Sequence, residues 1–198
     1  MFIQVIQGKC FRHHDMRGAI EEWRDERAPD VVGWLGGTYG FTEDDVFVAV
    51  VRFASREDAR QNTETREHSE WWARTRRLFA GEPVFHNCSQ VAFAVDDGFD
   101  EARFVQVIQG RADDPDHLES LAAEMQELLD ERPEVIGATL AVDEDGTFTE
   151  TVAFTDEASA RRGAPQNALT DVRATVSPST AELRYLDLRE PWFASRWG

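Results

Sequence analysis

His68 is the residue of this chain best suited to acid–base chemistry, because it precedes a pair of tryptophans in a helical segment. Histidine titrates near neutral pH, so it can accept a proton from a bound molecule or ligate haem iron. Trp71 and Trp72 would line an apolar cavity, the usual form of a small-molecule site. Three residues elsewhere would complete the site: Arg52 as an anion-stabilising donor, with Trp34 and Tyr39 as pocket walls.

The alternative is a structural role for the same residues. Trp71 and Trp72 would then be anchors of the core or of an interface, and His68 would be a partly exposed helix residue. Catalysis or binding at His68 needs an open cavity that reaches its side chain. A packed core around the tryptophans would exclude that function.

A second group of candidate ligands combines Cys10 and His13 with His86 and Cys88. If the first and last strands of one unit are antiparallel neighbours, the end of the first lies near the start of the last. Two thiolates and two imidazoles, or three with the neighbouring His14, would suit zinc or another transition metal. The alternative is that the cysteines are small buried residues and the histidines lie in loops, since the spacing matches no zinc motif.

An internal repeat indicates the elements that must position these residues. Phe2–Lys9 returns as Phe104–Arg111 at a spacing of 102, with six of eight residues identical. One unit is therefore written twice, and we expect domains at 1–97 and 102–198. The second copy has Gln166–Thr170 where the first has His68 to Trp72. A ligand site would therefore belong to the first unit, with the second as a scaffold.

The first copy has the pattern of a β-α-β-β-α-β unit. Its first strand is largely apolar on both faces. We expect Asp15 to be the N-cap of the first helix, and Ser55 that of a broken helical region running to Phe79. Gly36 and Gly37 indicate a bend or bulge in or after a strand. The expected strands after the first are Val31–Leu35, Val46–Phe53 and Ser89–Val95.

The second copy repeats this order. Its expected elements are a helix from Asp114, strands at Val135–Val142, Thr147–Phe154 and Leu183–Leu188, and a helix over Ala158–Val172. That last helix should be short or broken, because it contains Gly163 and Pro165. An aromatic tail follows, and we expect its tryptophans, Trp192 and Trp197, to bind in a groove of this chain or of a partner subunit.

This arrangement predicts an α+β protein built from two tandem ferredoxin-like units. Helices would cover one face of each sheet, and the two bare faces would pack sheet to sheet as an intramolecular dimeric α+β barrel. Since each unit then has its partner within the chain, we expect a monomer or a weak homodimer.

The chain resembles the dimeric α+β barrel superfamily, particularly antibiotic-biosynthesis-monooxygenase-like domains fused in tandem, as in an actinobacterial group. The segments Val50–Arg60, Glu67–Trp72 and Leu78–Phe79 are similar to the third strand and second helix of such domains. The resemblance implies an aromatic or polyketide ligand between helices and sheet, and oxygenation without a cofactor. It implies haem only as an alternative, because the haem-degrading branch has an asparagine where this chain has Gln4 and Gln7.

Composition argues against several partners. With 38 acidic and 21 basic residues the formal charge is −17, so the surface would repel phosphate backbones and anionic lipid. We therefore expect no nucleic-acid and no membrane partner. The sequence shows no signal-peptide pattern, and its two cysteines fit a reducing cytoplasm.

The sequence thus predicts a protein that binds a small hydrophobic or aromatic molecule. Cofactor-independent monooxygenase activity is the sharper hypothesis. The competing hypotheses are a non-catalytic binding or assembly protein and a metal- or haem-binding protein.

Overall fold

A computed structural model describes residues 1–95, 99–111, 126, 129–162 and 183–195. Most of the helix predicted from Asp114 lies outside these residues, as do Gln166–Thr170 and Trp197. The chain divides into two compact units, Met1–Asn87 with Trp192–Gly198 and Cys88–Pro191. Both are α+β. Among the described residues, no helix is long and apolar enough to cross a membrane.

The first unit has the element order predicted for a ferredoxin-like fold. Its elements are β1 (Phe2–Lys9), α1 (His13–Glu26), β2 (Trp34–Phe41), β3 (Val46–Phe53), α2 (Arg56–Glu64), α3 (Arg66–Thr75) and the start of β4 (Val84–Val95). The strands are ordered β4-β1-β3-β2, and β3 pairs antiparallel with both β1 and β2. The C-terminal strand, β9 (Trp192–Ser195), pairs with the outer edge of β2.

The second unit has the same strand order. Its elements are the rest of β4, β5 (Phe104–Arg111), β6 (Val135–Asp143), β7 (Thr147–Phe154), α4 (Glu157–Arg162) and β8 (Arg184–Leu188). The order is β8-β5-β7-β6, followed by β4. The repeated octapeptide forms the equivalent strand in each unit, because Phe2 pairs with Phe53 and Phe104 pairs with Phe154. The strand order of a ferredoxin-like unit, as predicted, is therefore present in both copies.

Two hydroxyl caps break the second helical region, as the sequence predicted. The Ser55 hydroxyl accepts from the backbone N–H of Asp58 at 3.1 Å and begins α2. The Thr65 hydroxyl accepts from the backbone N–H of His68 at 3.1 Å and begins α3. The prediction of Asp15 as the cap of α1 was wrong. That helix starts at His13, and Asp15 lies in its first turn.

The glycine-rich run is part of β2, so the strand predicted at Val31–Leu35 had the wrong bounds. A β-bulge between Trp34 and Gly36 confirms the predicted irregularity. Gly36 has φ +151°, and a Cβ there would lie 2.8 Å from the carbonyl oxygen of Ala194 in β9. Glycine at this position therefore allows the C-terminal strand to approach β2.

The Trp192 side chain packs into the first unit and anchors the C-terminal strand there. This confirms, for Trp192, the prediction that the tail tryptophans bind in a groove. Its ring is buried and stacks on Tyr39 at a centroid distance of 5.9 Å. Phe41 and Phe47 pack beside it at 5.8 and 6.1 Å. The Arg17 guanidinium lies 5.0 Å from the ring centroid, within reach of a cation–π interaction.

We expect Trp192→Ala to lower the free energy of unfolding by about 3–5 kcal/mol, because the change removes a buried aromatic side chain and leaves a cavity. Trp192→Phe should cost less than half as much, since its indole N–H has no hydrogen-bond partner among the described residues. Urea denaturation of both variants tests this. A loss below about 0.5 kcal/mol for Trp192→Ala would mean that the tail does not stabilise the unit.

Candidate ligand site around His68

α3 carries His68 to the place where the helices of the first unit meet the sheet. The Thr65 cap sets the start of the helix, so His68 lies in its first turn. The imidazole is half-buried, and its centroid lies 5.5 Å from that of Trp71, one turn further on. His68 lines three cavities of the first unit: a small one between the helices and the sheet, here called the internal cavity, and two grooves.

The internal cavity has a volume of about 50 Å³ and lies between the helices and one face of the sheet. Alternation along β1 and β3 turns Gln4, Ile6, Ala49 and Val51 towards it. Its remaining walls are mostly apolar or aromatic: Met16, Ile20, Trp23, Tyr39, Phe47, Phe53, Trp71, Trp72 and Phe79, together with Asn62 and Thr75. A small, mostly apolar cavity therefore lies beside His68.

A groove of about 430 Å³, here called the aromatic groove, lies on one side of this cavity. The cavity and the groove share a wall of five residues: Gln4, Ile6, His68, Trp71 and Trp72. Trp72 is half-buried, and Phe85 meets it edge-on at 5.5 Å across the groove. The cavity and the groove are therefore adjacent, with Trp72 in the wall that they share.

A second groove of about 420 Å³, here called the acidic groove, lies on the other side. It shares Trp23, Asn62 and His68 with the internal cavity. Four carboxylates and one guanidinium line it: Glu26, Asp30, Asp58, Glu67 and Arg27. This excess of negative charge disfavours anionic ligands on that side.

Burial lowers the pKa of His68 below its usual value, because desolvation disfavours the imidazolium. The ring is therefore neutral at pH 7 and can accept a proton. The Asn62 amide nitrogen, which can only donate, lies 3.4 Å from Nδ1 of the His68 ring, so this hydrogen bond forms in the tautomer whose Nδ1 carries no proton. Asn62, a buried residue at the end of α2, thus holds the ring on one side.

The predicted pocket walls occupy different positions. Trp71 and Tyr39 line the internal cavity, and the Trp71 indole donates to the carbonyl of Ala19 at 2.9 Å. Burial raises the pKa of Tyr39, so its phenol stays protonated. Trp34 lines none of the three cavities and packs edge-on against Trp23 at 5.3 Å.

Arg52 is not brought to His68. Its neighbours on β3, Val51 and Phe53, line the internal cavity, so alternation sends the Arg52 side chain to the opposite face of the sheet. There it is buried and donates through Nη1 to the Thr38 hydroxyl at 3.2 Å. It therefore cannot stabilise an anion in the cavity that His68 lines.

The four candidate metal ligands lie in different surroundings. His13 pairs with Asp45 at 3.0 Å, and His86 lies 3.1 Å from the Gln7 amide. Cys10 and Cys88 are free, buried thiols; burial raises the pKa of Cys10, and that of Cys88 to about 12. Within the described residues no group of three or more His, Cys, Asp or Glu side chains could hold a metal ion.

Most residues that line the internal cavity were not predicted as site residues from the sequence, and Trp23 and Asn62 are two of them. Trp23 stands at helical spacing after Met16 and Ile20, which indicates a core position but not a cavity wall. Asn62 lies in a polar stretch of α2, and no local pattern marks it as the partner of His68.

The fold is shared with several solved structures. A proposed monooxygenase from Fusobacterium nucleatum subsp. nucleatum has a TM-score of 0.74 at 11% identity, covering 98% of this chain and 94% of that one. An anthrone oxidase-like protein has a TM-score of 0.66 at 13% identity, covering 100% and 94%. A ferredoxin-fold protein related to antibiotic biosynthesis monooxygenases, from Listeria monocytogenes 4b F2365, has a TM-score of 0.50 at 10% identity, covering 96% and 94%.

These similarities define the class of fold. The chain has the dimeric α+β barrel type of fold found in antibiotic-biosynthesis-monooxygenase-like proteins, as its sequence predicted. No protein-family model and no curated protein sequence matches it. A fold hosts many functions, so activity has to be argued from the site.

We expect the stability conferred by neutral His68 to fall on acidification. The folded pKa lies below the unfolded value of about 6.5, so the unfolded chain binds more protons between the two, and stability falls as pH drops through that window. Urea denaturation at pH 7.5 and pH 5 should show a larger loss for wild type than for His68→Gln. Equal losses of stability in the two proteins would mean that the imidazole is exposed to solvent in the folded chain.

Proposed function

We propose that the first unit binds a small, largely apolar aromatic molecule against His68. The supporting observation is that His68 is a shared wall of the internal cavity and of both grooves. A neutral, half-buried imidazole at such a junction faces both an apolar interior and the surface. This arrangement suits a ligand with an aromatic body and one group able to exchange a proton.

The ligand would have to displace part of the wall. A cavity of about 50 Å³ holds only a few water molecules, whereas small-molecule sites usually measure roughly 300–1,000 Å³. The aromatic groove alone measures about 430 Å³, and Trp72 stands between the two spaces. Rotation of Trp72 would therefore join them and give a site of the usual size.

The sharper proposal is a monooxygenase that needs no resident cofactor. His68 would accept a proton from an activated ring methylene, and O₂ would oxidise that carbon to a carbonyl with release of water. The substrate supplies all the electrons, one oxygen atom enters the carbonyl and the other leaves as water. The similarity of fold to monooxygenase-like proteins supports this by analogy.

One observation favours a non-catalytic role instead. The internal cavity is small, and Trp71 is fixed by its bond to Ala19, as a core residue would be. Haem is a weaker alternative, because its propionates would be repelled by the carboxylates of the acidic groove. In addition, β1 carries Gln4 where the haem-degrading branch has an asparagine. In that position Gln4 donates to Asn87 at 2.9 Å.

Binding of 1-naphthol tests the proposal. At saturating probe we expect wild type to melt about 5 °C higher, because a ligand that binds only the folded chain stabilises it. Ala49→Val should abolish the shift, since two added methyl groups occupy the cavity floor at a position 1% exposed. Val50→Ile, on the opposite face of β3, is the matched control and should retain it. No shift in wild type, or an equal shift in Ala49→Val, would contradict the proposed site.

The oxygenase step needs a separate measurement, oxygen consumption with an anthrone as substrate. We expect wild type to consume O₂ and His68→Gln to lose at least about 100-fold in rate while still binding 1-naphthol, because only the general base is removed. If the variant retains the full rate, His68 is not the base. If wild type binds but consumes no O₂, the protein is a binding protein.

A further inference from the structure

The indole N–H of Trp23 is a buried donor without a hydrogen-bond partner among the described residues. Trp23 is 6% exposed, and buried indole N–H groups usually find an acceptor. The neighbouring Trp71 follows that rule, since it donates to Ala19. The unmet donor therefore distinguishes Trp23 from Trp71.

Trp23 lies where a ligand could meet it. It lines both the internal cavity and the acidic groove, and it forms the wall between them with Asn62 and His68. Its ring centroid lies 6.2 Å from that of Trp71, which in turn lies 5.5 Å from that of His68. The residue with the unmet donor and the candidate base thus line the same small space.

We infer that Trp23 determines specificity at the proposed site, by donating its indole N–H to a carbonyl oxygen on the aromatic ligand. The inference rests on the proposed function and adds the chemistry of the ligand. An indole nitrogen can only donate, so the group that meets it must be an acceptor. A neutral carbonyl also suits a wall whose far side carries an excess of carboxylates, where an anionic group would be repelled.

Trp34 provides a matched control. It is also buried, and its indole N–H also lacks a partner among the described residues. It packs on Trp23 but lines neither the internal cavity nor the two grooves. Replacing either tryptophan by phenylalanine shortens a buried ring and removes an N–H, but only Trp23→Phe changes a residue that lines the cavity.

The experiment compares indane with 1-indanone, which differ by one carbonyl oxygen, in calorimetric titrations of wild type, Trp23→Phe and Trp34→Phe. Wild type should bind 1-indanone about 3- to 10-fold more tightly than indane, the gain expected from one hydrogen bond. Trp23→Phe should remove that preference and leave the affinity for indane within about 2-fold. Trp34→Phe should keep the preference.

The other outcomes separate the two proposals. Equal affinities of wild type for the two probes, or a preference that survives in Trp23→Phe, would overturn the role of Trp23 and leave the proposed function intact. Loss of the preference for 1-indanone in both variants would mean that the preference depends on ring size, and this would also overturn the role of Trp23. If wild type binds neither probe, the proposed function fails and this inference fails with it.

Discussion

The antiparallel register between β1 and β3 decides what the first unit can do. Pairing of Gln4 with Val51 and of Ile6 with Ala49 turns these four side chains towards the helices. A shift of one residue would exchange the two faces of β3 and bring Arg52 into the apolar cavity. The pairing of β1 with β3 therefore decides which strand side chains line the site, and the helix that carries His68 completes it.

The helices complete the site through aromatic packing and one cap. Trp23, Trp71 and Trp72 bring α1 and α3 together over the sheet, and the Thr65 hydroxyl fixes where α3 begins. Since large rings interlock with few voids, only about 50 Å³ stays open inside. Binding would therefore depend on moving a half-buried ring, for which Trp72 is the best placed.

Much of the fold could be predicted because the signals were local. The repeated octapeptide, the strand Thr147–Phe154 and the cap at Ser55 are patterns within a few residues, and the structure confirms each. The bounds of β2 could not be predicted in the same way. Glycines normally end a strand, but here they allow β9, more than 150 positions later, to pair with it.

The site was less predictable because it depends on long-range geometry. His68 and the paired tryptophans share one helix, so their proximity followed from spacing. Arg52 was expected beside them, but the face on which it lies depends on the register of the sheet. The unmet donor of Trp23 is a property of its packing, which no pattern in the sequence shows.

The most direct test of the central claim is a crystal structure of the full chain soaked with 1-naphthol. We expect the ring between Ala49 and Trp71, with its hydroxyl near His68 and the Trp72 side chain turned out of the wall. Naphthol bound only elsewhere, or a cavity still closed by Trp72 in crystals that contain the probe, would contradict it.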